Sequence, residues 1–199
     1  TAARSAGFHP NHPEFGEREV PLSAEIWIER DDFSDNPPAG WQRLTPGGEV
    51  RLRYSYVIKC DDVVRDAAGE VIELRCSIDH DTLGKNPEGR KVKGVIQWVS
   101  AEAGVSAEVR VYERLFLTAD PEAAPEGQEK DRDAWLNNLN PNSFRVVQAV
   151  VEPSLAGAQA GERFQFEREG YFIADALDHQ PGKPVFNRIL DLKDSFKPG

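Results

Sequence analysis

The chain has 199 residues, enough for one large core or two small ones. Apolar residues make up 39% and charged residues 29%, ordinary for a soluble globular chain, and no run approaches the ~20 apolar residues of a membrane helix. The formal charge of −10 argues against bulk nucleic-acid binding, so any such role has to rest on where the basic residues sit. Thr1 to Phe8 lack the basic start and apolar run of a secretory signal, and with no Met anywhere the chain reads as trimmed at its amino end. Cys60 and Cys76 are too few for a disulfide framework and form no CxxC zinc pair. A buried, reduced thiol is the simplest reading of each, and it fits the cytoplasm.

Short alternating runs separated by Gly, Pro, Asn and Asp dominate, which predicts an all-β chain of sandwich or barrel type. From Leu22 to Ile28 the even positions are apolar, while Ser23 and Glu25 face away and Trp27 interrupts the outer face. Asp31 to Pro38 is polar and proline-broken, with room for one helical turn at most. Val50 to Cys60 is the clearest predicted strand, with Val50, Leu52, Tyr54, Tyr56, Ile58 and Cys60 on one face and Arg51, Arg53, Ser55 and Lys59 on the other. The turn Arg65 to Gly69 then leads into Val71 to Ile78, a hairpin. After a loop from Asp79 to Gly89, Val92 to Val99 reads as a strand with Lys91, Lys93 and Gln97 outward and Val92, Ile96 and Trp98 inward. A second cluster of strands is predicted at Glu108 to Phe116, Phe144 to Glu152, Arg163 to Ile173 and Val185 to Leu192. Ala119 to Asp133 reads as a surface loop, and Asp131 to Leu139 as a helical turn or two.

No catalytic constellation is present: there is no Gly-x-Ser-x-Gly elbow, no Walker loop and no His-Glu-x-x-His. His9 and His12 lie among Pro10, Asn11 and Pro13, so they share no helix face and read as surface or packing residues rather than metal ligands. Asp79-His80-Asp81 lacks the later Gly and Glu of a calcium loop and reads as turn chemistry. Arg51 and Arg53, two apart on a strand, would project their guanidinium groups on one face roughly 7 Å apart. Arg43 precedes the turn Thr45-Pro46-Gly47-Gly48 and follows Trp41. Guanidinium forks suit phosphates and guanine edges, and they stack on bases. On the residues alone, however, a solvated face of arginines paired with nearby acids accounts for these three better than RNA reading does. Lys91 and Lys93 repeat the spacing, and Arg163 to Arg168 alternates again, with Phe164 and Phe166 inward and Gln165 and Glu167 outward. A glutamine amide offers both donor and acceptor to a base edge, though this pattern is also common in ordinary strands.

Nearly the whole chain resembles the carboxy-terminal, anticodon-binding region of glutaminyl-tRNA synthetases. The matching blocks are NHP at Asn11, REVPLSAEIWIERDDF at Arg18, EVRLRYSYVIKCDDV at Glu49, GRKVKGVIQWVSA at Gly89 and EVRVYERLF at Glu108. LNPNS at Leu139, VEPSL at Val151, FQFEREGYF at Phe164 and KPVFNRILDLKDSF at Lys183 follow in family order. The resemblance implies two β-barrels that grip the anticodon loop of tRNA(Gln): a proximal one from residues 14–98, closed by 182–196 and so discontinuous, and a distal one from 99–181. It implies that Arg43 reads the third anticodon base, a guanine, and that Arg51 and Arg53 form the first-base pocket and its phosphate contact. Gln165 would serve the middle base, a uracil, with Glu167 and Arg168 as its neighbours. Gln42 stands where the family has a lysine before the third-base arginine, and with Lys91 and Lys93 it would contact the tRNA backbone. The chemistry of the family joins glutamine to tRNA through an adenylate made from ATP with Mg2+. Its His-Ile-Gly-His and Lys-Met-Ser-Lys-Ser signatures are absent here, so this chain is expected to hold no cofactor and to be inactive alone. A monomer attached to its own catalytic domain is expected, with no membrane partner. Two alternatives are the related region of an archaeal-type glutamyl-tRNA synthetase and a stand-alone barrel that binds ribosomal RNA.

Overall fold

The computed structural model describes residues 2–123 and 133–192, and it is all-β apart from short 3-10 turns. The strands are β1 (Ala2–Gly7), β2 (Glu17–Leu22), β3 (Ile26–Trp27), β4 (Glu49–Leu52), β5 (Val57–Arg65), β6 (Val71–Asp79), β7 (Val95–Ile96) and β8 (Val99–Ser100). They continue as β9 (Val105–Tyr112), β10 (Phe144–Val151), β11 (Arg163–Phe166), β12 (Gly170–Ala174) and β13 (Val185–Leu190). Among the described residues, one compact unit takes 2–105 with Val150–Ser154, and a second takes Ser106–Ala149 with 155–192.

In the first unit the sheet order β6-β5-β4-β7 is accompanied by the pairs β1-β2 and β3-β8. Its core contains Val20, Leu44, Val50, Leu52, Ile58, Ile96 and Trp98. Val50, Leu52, Ile96 and Trp98 are buried as their alternation predicts, and Lys91 and Lys93 are exposed. The second unit is one sheet of order β10-β9-β13-β12-β11, cored by Val109, Val111, Phe172, Val185 and Phe186. Phe164 and Phe166 point inward as predicted, with Phe166 stacked 4.3 Å from Phe172 and both rings edge-on to Phe186. The hydrogen-bonded ladders of both units are open, with edges at β6 and β7 and at β10 and β11, so closed barrels are not what the pairing displays.

Several predicted strands break. The run Val50 to Cys60 is a hairpin: β4 and β5 pair antiparallel with Val50 opposite Ile58, Leu52 N–H donates to Tyr56 O, and Ser55 N–H donates to Leu52 O at 2.8 Å. The alternation conceals the turn because its left-handed position, φ +60°, is held by Tyr54 rather than by glycine or asparagine. Arg163 to Ile173 divides in the same way into β11 and β12, with Arg168 at φ +70° in the turn. Arg53 and Glu167 are therefore turn residues, and the shared strand faces expected for Arg51 with Arg53 and for Gln165 with Glu167 do not exist. The run Leu22 to Ile28 also breaks. Ser23 turns inward to hydrogen-bond Ser100 at 2.7 Å, and Ala24 is exposed. Val92 to Val99 is two short strands, β7 and β8. The hairpin over Arg65 to Gly69 forms as predicted, with Asp66 accepting from the backbone N–H of Ala68 and Glu70.

Val185–Leu190 lies between β9 and β12 in the second unit, not in the first, because Val185 and Phe186 are fully buried there against the phenylalanine cluster. Residues 193–196 of that expected closing segment lie outside the described residues, as does 124–132 of the predicted loop and helical turn. Residues 99–105 stay with the first unit, and the chain returns to it at Val150–Ser154.

Candidate nucleic-acid interface

The chain reaches Arg43 through the 3-10 turn Arg30–Asp32, which lies against the strand-like segment at Leu44. Leu44 is fully buried and exchanges backbone bonds with Asp32 and Ser34, so Arg43 is fixed on a rigid backbone. Its guanidinium donates to Asp31 O at 3.0 Å, lies 3.5 Å from the fully buried Asp32 carboxylate and sits over the Trp41 ring at 5.5 Å. An ion pair to a buried carboxylate, with stacking on one face, holds a guanidinium plane in a set orientation.

Beside it runs an open groove of about 790 Å³ lined by Pro37 to Lys93 segments that include Trp41, Gln42, Arg43, Lys59, Lys91 and Lys93. Four of the nine predicted contacts, Gln42, Arg43, Lys91 and Lys93, thus meet in one place. Gly94 makes this possible: a Cβ there would overlap the Gln42 carbonyl oxygen, so only glycine lets the Lys91–Gly94 segment approach so closely. Glu49 also lines the groove, but Arg90 clamps it at 2.8 Å and reaches Asp79 at 2.6 Å with its other arm. Arg90 holds the Asp79 carboxyl below its usual range. The groove's carboxylate is thereby neutralised and its lysines set the local field.

Arg51 has another role. Its guanidinium donates to Ser55 O at 2.9 Å, Thr82 O at 2.8 Å and Lys85 O at 2.6 Å, stapling the β4–β5 turn to the loop after β6. Thr82 completes the staple by accepting from Val57 N–H. Arg53 lies 5.5 Å from the Tyr54 ring centre, and its carbonyl accepts from Trp98 Nε1. In the second unit Gln165 is exposed on β11 opposite Tyr171, while Glu167 and Arg168 are half-buried in the following turn. Sequence reasoning missed Lys59 and Arg90. Lys59 carried a signal in its strand parity, but the Arg90–Glu49 clamp joins residues 41 apart and has no local signature.

Both units match family models. Residues 2–79 and 95–175 each match an anticodon-binding domain of the class I tRNA synthetases for E and Q. The chain is 63% identical over 198 residues to the Glutamine--tRNA ligase of Chromobacterium violaceum, covering 99% of this chain and 35% of that protein. It is 58% identical over 198 residues to that of Neisseria meningitidis, covering 100% and 35%, and 57% identical over 190 residues to that of Pseudomonas putida, covering 94% and 33%. It therefore spans about a third of the length of these curated relatives. Neither match supports the stand-alone ribosomal-RNA barrel, and the ligases named here are all of the glutamine type. With two successive family matches that together cover most of the chain, and relatives that align along nearly all of it, this chain belongs to the anticodon-binding region of the glutaminyl-tRNA synthetases.

Proposed function

We propose that this chain recognises the anticodon loop of tRNA(Gln) in the cytoplasm, as the RNA-reading part of a glutamine–tRNA ligase. The first unit acts as the proximal and the second as the distal anticodon-binding domain, and the parent enzyme works as a monomer. The ATP and Mg2+ of the whole reaction belong to the remainder of the polypeptide, so this chain alone binds tRNA without charging it.

The observation that carries the reading is Arg43, oriented by Asp32 and Trp41 at the mouth of a groove whose lysines suit a phosphate backbone. A preset guanidinium can donate to the O6 and N7 edge of an unstacked guanine. Arg51 contributes by rigidifying the turn that presents Arg53, while its guanidinium, bonded to backbone carbonyls rather than to a carboxylate among the described residues, supports a nearby phosphate. Gln165, on the distal unit, offers donor and acceptor to a uracil edge, flanked by Glu167 and Arg168.

A titration of tRNA(Gln) against tRNA with an altered anticodon tests this. Specific binding is expected to weaken with the alteration and with salt. Indifference to the anticodon sinks the reading. Arg43→Ala should reduce discrimination at the third base by about 1–3 kcal/mol. An equal loss on guanine and adenine variants would reduce Arg43 to a phosphate contact.

A further inference from the structure

Tyr54 is an unexpected residue for its position. A bulky side chain at φ +60° is disfavoured, and such outliers persist where surrounding structure or function sustains them. Among the described residues the non-glycine residues at positive φ are Tyr54 and Arg168, and both occupy hairpin turns that hold predicted base-reading residues. Tyr54 is 40% exposed. Arg53 lies 5.5 Å from its centre and Arg18 5.7 Å, and Arg18 also sits 5.9 Å from the ring of Phe8, which is 55% exposed. Arg18 is itself held at 2.6 Å by the Glu152 carboxylate and donates to Gly7 O, so it is a fixed bridge between two half-exposed rings.

This is an aromatic–guanidinium surface of the kind on which unpaired bases stack, since every base presents a π-face and guanidinium groups add cation–π attraction. A single strand links it to the basic groove. β4 runs from Glu49 in the groove wall to this turn, about 13 Å along the strand. We propose that Tyr54 and Phe8, bridged by Arg18, form a stacking platform for an unpaired base of the bound RNA loop, next to Arg53. This rests on the anticodon-binding reading and extends it to residues that neither the family match nor the base-edge contacts assign.

The test uses the 199-residue chain and an RNA stem-loop carrying the glutamine anticodon, intact or with an abasic nucleotide at the first anticodon position. Tyr54→Gly removes the ring and relieves the backbone, so thermal stability should hold or rise. Binding of the intact loop should nevertheless fall roughly 5- to 150-fold, while binding of the abasic loop should not fall further. Tyr54→Phe should retain binding, and Phe8→Ala should weaken it in the same base-dependent way. An unchanged affinity of Tyr54→Gly, or an equal loss on intact and abasic loops, overturns the platform while leaving anticodon recognition standing. A wild-type chain indifferent to the anticodon overturns both.

Discussion

Arg51 in the first unit and Arg110 in the second each make several strong contacts, but with different kinds of partner. Arg51 donates to three backbone carbonyls, which satisfy its hydrogen bonds and leave its charge in place. Arg110 is ringed by carboxylates, at 2.7 Å from Glu108, 3.4 Å from Asp175 and 2.7 Å from Asp178, and Arg188 is likewise paired with Glu113 and Asp191. Both arrangements rigidify, but of the two only Arg110 has its charge compensated by carboxylates among the described residues. An overall charge of −10 is compatible with RNA binding where basic side chains gather locally, as Arg43, Lys59, Lys91 and Lys93 do along the first unit's groove. In the proposed reading the phosphate attraction comes from the first unit's groove, and the second unit offers the Gln165 amide.

The most disruptive way to probe this contrast is Arg51→Ala. It leaves the carbonyls of Ser55, Thr82 and Lys85 without their donor and should destabilise the first unit by on the order of 3 kcal/mol. Denaturant unfolding would measure the loss, and amide exchange should localise it to the β4–β5 turn and the loop after β6.

Asp175→Asn examines the opposite arrangement, with an expected loss on the order of 2 kcal/mol at neutral pH. The backbone N–H of Asp178, the Asn187 amide and the Leu177 N–H bring the Asp175 carboxyl from 3.8 down to about 2. Its folded value is depressed, so its contribution is fully present above about 3.8 and is lost as pH falls towards about 2. Wild type and variant should converge in thermal stability across that window. A difference that persists at the acid end would show that packing, not charge, dominates there.

Replacing both Lys91 and Lys93 by Ala should lower the slope of log affinity against log salt by about 2, with similar losses on all anticodon sequences. Arg110→Ala should leave that slope unchanged. If the two variants shift it equally, the assignment of the phosphate contacts to the first unit is wrong.

The smallest effect concerns Cys76, which is exposed on β6 rather than buried as its alternation predicts, with its thiol packed against the buried Cys60 across the β5–β6 ladder. Desolvation and the neighbouring Cys60 thiol push its pKa up to about 12. Thiol labelling of the native chain near pH 8 should therefore be slow compared with the unfolded chain.

Alternation made much of the core legible: Val50, Leu52, Ile96, Trp98, Phe164 and Phe166 point where a period of two places them. It failed at the two hairpin turns in the candidate site, where Tyr54 and Arg168 take a conformation usually signalled by glycine or asparagine. Local chemistry contained no sign of either turn. It also placed Arg51 and Arg53 on a shared solvent face, where the tertiary contacts instead make Arg51 a staple.

The amino-acid sequence by itself determined that this protein is all-β, that its cores fall in two clusters and that it is kin to anticodon readers, because side-chain parity and family blocks are local properties of the chain. Only the tertiary structure decided which sheet takes β13, where the strands fold back and which arginines have their charge compensated by a carboxylate. Those outcomes depend on partners far apart in sequence, such as Lys85 for Arg51 and Glu152 for Arg18, 34 and 134 residues away. A side chain's partner, rather than its type, fixes whether its charge is available to a ligand.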